Sequence, residues 1–409
     1  MEILDIAHGP TFDETLWEKE YHTHNPYASS KLNNNDEIRI PIQQQDIYTL
    51  PSESYLYIEG KVLKKDGKTT GTTVPFINNP MAFLFDEVRY EISGVTVDST
   101  KRVGIASTLK GLCSISPNQE NMLVTAGWVA PASKTITPNP KGDFDFSIPL
   151  KLLLGFAEDY NKILINVKQE LVLLRSSNDN DLILATEGTT EATLEWKLVL
   201  EKIVWRMPHL KLADEHRITL LRQLKADKDI VLPFRSWELH EYPILPETER
   251  HTWTVKTSTH LEKPRYVIFG LQTDRRSKLT ADPTQFDHCK LKNCKVFLNS
   301  QFFPYDNLNI SFDKKRYSIL YDMYARFQSS YYGKTNTPIL SPSEFASSYP
   351  IVVIDCSKQN ESIKASSVDI KLEMEFESNV AASTAAYCLI LHDKIVTYTP
   401  LTGIVKTVL

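Results

Sequence analysis

The run Phe85-Asp86-Glu87-Val88-Arg89-Tyr90-Glu91-Ile92, closed by Ser93-Gly94 and answered by Val95-Thr96-Val97-Asp98, decides the fold. It reads as a hairpin, two strand-forming runs joined by a two-residue turn. A helical stretch follows from about Ser99 to Leu112. There Val103, Ala106, Leu109 and Leu112 recur every three residues, and Asp98 stands as an N-cap. Later come Phe146-Ser147-Ile148-Pro149-Leu150 and a long alternating strand, Ile163 to Leu173. The second half repeats this order. Leu291 to Leu298 turns at Asn299-Ser300 and leads to a helical stretch, Lys314 to Gln328, with Asp313 as its cap. Ser348-Tyr349-Pro350-Ile351-Val352 and an alternating strand, Val368 to Phe376, complete the second copy. Matching features lie about 200 residues apart, close to half of the 409. Two tandem β-rich units without a shared catalytic signature point to a building block.

Outward from these runs the period-two signal continues. Ile38, Ile40 and Ile42 alternate with Glu37, Arg39 and Pro41, and Tyr55–Leu63 is the next strand. Leu194 to Glu201 alternates as a half-buried antiparallel strand does. The segment 209–217, HLKLADEHR, is charged and lacks alternation, so it reads as a linker. The second unit then opens with a run from Ile218 to Lys225. Strands follow at Ile230–Phe234, Thr252–Lys256 and Tyr266–Leu271. Near the end, Tyr387–Leu391 and Ile395–Tyr398 flank His392-Asp393-Lys394 as a hairpin, and the apolar Ile404–Leu409 reads as a docking tail. Many short strands with turn signals predict an all-β chain of two tandem eight-stranded jelly-roll β-sandwiches with short inserted helices. The expected division is an N-terminal arm, 1–33, a first roll, 34–208, a linker, 209–217, and a second roll, 218–409.

A net charge of −5 and a pI near 6.1 do not suit a chain that coats nucleic acid. The start, MEILDIAHGP, lacks the pattern of a secretion signal, and no run of about 18 apolar residues suggests a membrane span. The five cysteines, Cys113, Cys289, Cys294, Cys356 and Cys388, are odd in number and irregularly spaced. They read as reduced, buried thiols of a cytosolic or nuclear setting.

No residue is predicted to be catalytic, to bind a cofactor or to hold a metal. His22-Thr23-His24 has the spacing of two ligands on one strand face, but the glycine-rich lead-in and downstream glutamate of a cupin are missing. His288, Cys289 and Cys294 lie close together without a second pair at structural-zinc spacing. Glu373 and Glu375 sit on an outer strand face, and no pair of carboxylates is singled out for glycoside hydrolysis. Trp17, Tyr21 and Tyr27 dot a polar leader. Such aromatics anchor either a neighbouring subunit or their own domain.

Taken with Lys151 to Phe156 and Lys162 to Arg175, the runs Phe85–Asp98 and Phe146–Leu150 resemble the double jelly-roll major capsid proteins of double-stranded DNA viruses. The similarity is closest to Polinton- and adintovirus-type elements and their integrated relatives. Ala386 to Asp393 and Leu401 to Val405 carry it at the C-terminus, and it covers roughly 35–409. The resemblance implies a non-enzymatic virion protein. Two upright rolls per chain form a homotrimeric, pseudo-hexameric tile of an icosahedral shell. Its expected partners are copies of itself and penton or minor capsid proteins, without sequence-specific nucleic-acid binding. Polar tips such as Lys64–Thr73 and Ser176–Thr190 would be outward loops. Two alternatives remain. One is a secreted two-jelly-roll amidase or glycosidase acting on glycans. The other is a host-domesticated interaction protein of the same fold.

Overall fold

The computed structural model describes residues 15–27, 32–43, 48–64, 75–129, 136–184, 196–225, 228–256, 263–299, 301–358 and 368–408. Among the described residues the first unit holds ten strands. They are β1 (Leu16–His24), β2 (Glu37–Ile42), β3 (Tyr48–Thr49), β4 (Tyr55–Lys64), β5 (Phe85–Ile92), β6 (Val95–Lys101), β7 (Asp143–Pro149), β8 (Leu164–Ile165), β9 (Gln169–Arg175) and β10 (Trp196–Leu212). The second holds β11 (Ile230–Tyr242), β12 (Arg250–Lys256), β13 (Lys263–Thr273), β14 (Leu291–Leu298), β15 (Gln301–Phe303), β16 (Val352–Asp355), β17 (Ile370–Phe376), β18 (Thr384–Tyr398) and β19 (Val405–Thr407). Helices α1 (Val103–Ser114), α2 (Glu120–Leu123) and α3 (Gly155–Asp159) belong to the first unit. Helix α4 (Asp214–Lys225) joins the units, and α5 (Ser318–Ala325), α6 (Phe327–Tyr332) and α7 (Pro342–Ser348) belong to the second.

The strands form four antiparallel sheets. With the short additions β3, β8 and β19 set aside, the two pairing diagrams coincide. Order β1-β10-β4-β7 matches β11-β18-β13-β16, and β2-β9-β5-β6 matches β12-β17-β14-β15. Each unit is therefore an eight-strand jelly roll whose last strand returns between the first and third, and the internal repeat is a repeat of topology. The cause is visible in the pleat. Ile38, Ile40 and Ile42 are buried on one side of β2, and Ile370, Leu372, Met374 and Phe376 on one side of β17. The hairpin turn at Ser93-Gly94 has φ of +50° and +81°, the left-handed pair that a tight two-residue connection needs.

Several expectations are corrected. Leu16–His24 is no leader but β1, the first strand of the first roll, paired with β10 from Leu212 to Trp205. The presumed linker 209–217 divides between the end of β10 and the start of α4, because β1 supplies His209–Leu212 with a ladder partner. Ile218–Lys225 is helical. Asp214 and Glu215 open α4 and Arg222 and Lys225 close it, the arrangement that the helix dipole favours. The proposed hairpin at His392-Asp393-Lys394 is continuous strand β18, paired on both sides there by β11 and β13. The strand expected over Ile163–Leu173 is broken at Asn166, which has φ +52°. Neither Asp98 nor Asp313 caps a helix, since α1 begins after Arg102 and α5 after Tyr317. The apolar tail does dock, as β19 on β18. Residues 65–73 of one expected outward loop and 185–190 of the other lie outside the described residues.

The two rolls share one continuous hydrophobic core. Phe156 of α3 meets Phe234 of β11 edge-on, with ring centroids 5.2 Å apart. Close approach is possible because residue 155 is glycine: a Cβ there would stand 2.0 Å from the Arg235 carbonyl oxygen. That oxygen belongs to a paired strand and has little room to retreat. Gly155→Ala is therefore expected to cost about 1–3 kcal/mol, read as a lower midpoint in chemical denaturation. Gly94→Leu, where a Cβ meets open space, would add only the local strain of its positive φ.

Candidate functional site

The most concentrated chemistry lies in the seam between the rolls. Helix α1 is buried on every side from Val103 to Cys113. Gly104 and Gly111 permit this, because a Cβ at either would collide with Phe83 or Trp128. Lys110, only 2% exposed, is thus enclosed. Its Nζ donates to Ser114 Oγ at 2.8 Å, Glu158 Oε1 at 2.8 Å and Tyr332 Oη at 2.7 Å. Those three acceptors match the three protons of an ammonium. The cation also lies 4.5 Å from the Tyr331 ring centroid and 4.9 Å from that of Trp237. Burial lowers the Lys110 pKa, and the nearby Glu158 carboxylate opposes that shift.

Beside it, Arg235 of β11 grips Asp159 of α3 with two parallel hydrogen bonds, Nε to Oδ2 at 2.6 Å and Nη2 to Oδ1 at 2.7 Å. Its third arm donates to the Tyr331 carbonyl at 2.7 Å, and the guanidinium lies 3.5 Å from the Tyr331 ring centroid. Asp98 of β6 accepts from Ser236 Oγ and from the backbone N–H groups of Phe156 and Ser99. These groups are satisfied by one another. A lysine, an arginine and carboxylates could suggest acid–base chemistry, but each is committed to a partner from the other roll or from its own helix. The cluster fastens the rolls together. Glu373 and Glu375, the outer-face carboxylates, are likewise paired, with Lys371 and with Lys292 and Arg250.

The histidines form a second group. His24 Nε2 lies 3.1 Å from His209 Nε2, and His22 stacks on His209 with centroids 4.1 Å apart. Among the described residues no group of three or more His, Cys, Asp or Glu side chains could hold a metal ion. His288 is stacked on Phe312 and accepts from the Lys290 N–H, while Cys294 is buried in the sheet. Burial pushes the Cys289 thiol up to about 11 and those of Cys113 and Cys294 up to about 12. These thiols stay protonated and unreactive at neutral pH.

The three leader aromatics are not brought together. Trp17 is 70% exposed, Tyr21 leans on Tyr55 with centroids 5.5 Å apart, and the exposed Tyr27 takes a hydrogen bond from Gln43. Beside Trp17 runs a groove of about 900 Å³ lined in part by His22, His209 and the α4 residues Ile218 and Leu221. Among the described residues no helix is long and apolar enough to cross a membrane.

Two expectations follow. Lys110→Met leaves Glu158 in the seam with only tyrosine hydroxyls, and should destabilise by about 3–5 kcal/mol in urea denaturation. Adding Glu158→Leu should recover much of that loss. The histidine pair makes β1 pH-sensitive. Burial, aided by the charge of His22, pushes His24 down to about 4; burial, with His22 and His24, does the same to His209. Both groups therefore resist protonation when β1 is docked. Their support for docking is fully present above about 6.5, the ordinary value, and is lost as the pH falls through about 4. Hydrogen exchange, corrected for intrinsic rate, should speed up across Leu16–His24 between pH 7 and 4.5, and His209→Gln should flatten that response.

Similarity to known proteins extends over the whole architecture. A family model described as a double jelly roll-like domain matches residues 74–396. No curated protein matches the chain. Among solved structures, VP54 of PBCV-1, in a crystal structure fitted into a reconstruction of the virophage Sputnik, is 10% identical with a TM-score of 0.60, over 98% of this chain and 99% of that one. A chain from the cryo-EM structure of the Sputnik virophage itself is also 10% identical at 0.60, over 100% and 92%. The major capsid protein of mavirus is 10% identical at 0.58, over 99% and 92%. At such identity the likeness is one of fold.

Proposed function

This chain belongs to the double jelly roll-like family, and from that premise we propose that it is a structural major capsid protein of an icosahedral double-stranded DNA virus. The observation that carries the reading is the duplicated jelly roll locked by a buried seam. A single chain then supplies two upright, equivalent blocks held in one orientation. Three such chains supply six blocks and give a pseudo-hexagonal tile with true three-fold symmetry. The full-length likeness to chains from virus particles, the mavirus major capsid protein among them, supports the same reading.

The physical logic is that of a closed ring. A head-to-tail contact joins one surface of a chain to a different surface of the next, and the ring terminates when the rotation closes. Neighbouring rolls in such a ring cover sheet edges that would otherwise invite aggregation. The partners of the tile are other tiles and penton or minor capsid proteins, and its place is the virion shell. A net charge of −5 suits a container that does not itself condense nucleic acid. Nothing in this role requires chemistry. That agrees with a seam whose charged groups are mutually paired.

Light scattering coupled to size exclusion provides the test. The purified chain, 46.7 kDa, should elute as a species of about three times that mass or as larger shells visible by negative stain. A strict monomer at every concentration would sink the trimeric tile and also fit a domesticated protein that has lost assembly.

A further inference from the structure

We infer that His24 of β1 and His209 of β10 form a binding site for a borderline divalent transition-metal ion of the zinc, nickel and copper class, and that the bound ion pins β1 to the first roll. In the antiparallel register His24 faces Trp205 and His209 faces Glu20, so the two backbones stand four pairs apart. Their side chains nevertheless lean toward each other until the Nε2 atoms are 3.1 Å apart. His22 stacks on His209, with centroids 4.1 Å apart, and holds that ring against the strand face. Both members of the pair are half-buried. A single hydrogen bond between neutral rings is weak compensation for fixing two side chains in that reach. An ion held by both is stronger compensation.

The spacing suits such an ion. Metal–nitrogen bonds of about 2.0–2.1 Å to two donors 3.1 Å apart subtend about 95–102° at the metal. That angle lies between cis ligands of an octahedral or square ion and neighbours in a tetrahedron. Imidazole nitrogen selects zinc, nickel and copper, whereas magnesium and calcium take oxygen ligands. Among the described residues no third His, Cys, Asp or Glu joins the pair as a ligand, so water completes the coordination. The carboxylate of Glu20, 3.6 Å from His22 Nε2, adds negative charge on the same strand face. The two donors come from different strands, which makes the ion a cross-link. Among the described residues β1 pairs only with β10, and most of its side chains are exposed. A link at this edge therefore adds more than one inside the core would.

The test uses the full chain without a histidine tag, stripped with chelator. Zinc chloride is titrated by calorimetry into the wild type and into His24→Gln, His209→Gln and His216→Gln, the last on exposed α4. The wild type should take up one zinc per chain, saturably, below millimolar concentration. His24→Gln and His209→Gln should each bind at least about tenfold more weakly, and His216→Gln should match the wild type. Hydrogen exchange at fixed pH gives a reading on the wild type alone. Zinc should slow it across Leu16–His24, because the ion binds β1 only when docked, and magnesium should not. No saturable binding by the wild type, undiminished binding in both pair variants, or slowing confined to other segments would overturn the assignment. The exchange reading needs no substitution, so it decides the question even where a variant does not fold. None of these results depends on oligomeric state. Failure here leaves the capsomer reading in place, and a monomeric wild type leaves this site in place.

Discussion

Everything in this molecule depends on placing an ammonium in a seam between two β-sandwiches. A jelly roll is stable alone when its faces and edges are covered, and two of them could hang from each other on a flexible join. Lys110 prevents that. Its three protons find acceptors on α1, α3 and α6, so its satisfaction requires the helices of both rolls in one arrangement. Arg235 and Asp159 add a second directional fastening a few residues away. Burying such groups costs desolvation, and an apolar seam of similar volume could be as stable. What the polar seam adds is angle: hydrogen bonds penalise rotation of one roll against the other more sharply than apolar contact does. Any larger structure that uses both rolls as one block needs that angle to be reproducible.

The β architecture was legible in the sequence because the pleat writes itself in alternate letters. Glu37–Ile42 and Val368–Phe376 show the alternation, and Ser93-Gly94 shows the turn. The departures have a common cause. His392-Asp393-Lys394 looked like a turn because three polar residues interrupt an apolar run, yet Asp393 faces Arg265 on the neighbouring strand, which bonds it at 2.6 Å. The sequence around Lys110 carries no sign of its burial, because nothing local reports that a second roll covers that face of α1. The helix at Asp214–Lys225 was hidden by a short apolar run that strand and helix patterns share.

The candidate site was the least legible part, for the same reason. Lys110, Glu158, Arg235 and Tyr331 are spread over more than half the chain, and only tertiary structure brings them together. The signal that could have pointed to the seam was steric. Gly104, Gly111 and Gly155 occupy helices where alanine would be the better former, which indicates close approach by something large. The sequence marked Trp17, Tyr21 and Tyr27 as leader aromatics, but it missed that Trp17 and Tyr21 ride on a strand of the first roll.

The pairing of β1 with β10 also bears on how the chain is made. Leu16 leaves the ribosome 196 residues ahead of its ladder partner, Leu212. At about 5–20 residues per second, β1 waits roughly 10–40 s before the strand that holds it exists. During translation the first sandwich is therefore an open clam, with a free edge on β4 and an aromatic-bearing strand adrift. Closure of the first roll and arrival of the connecting helix are nearly the same event, because β10 runs almost directly into α4.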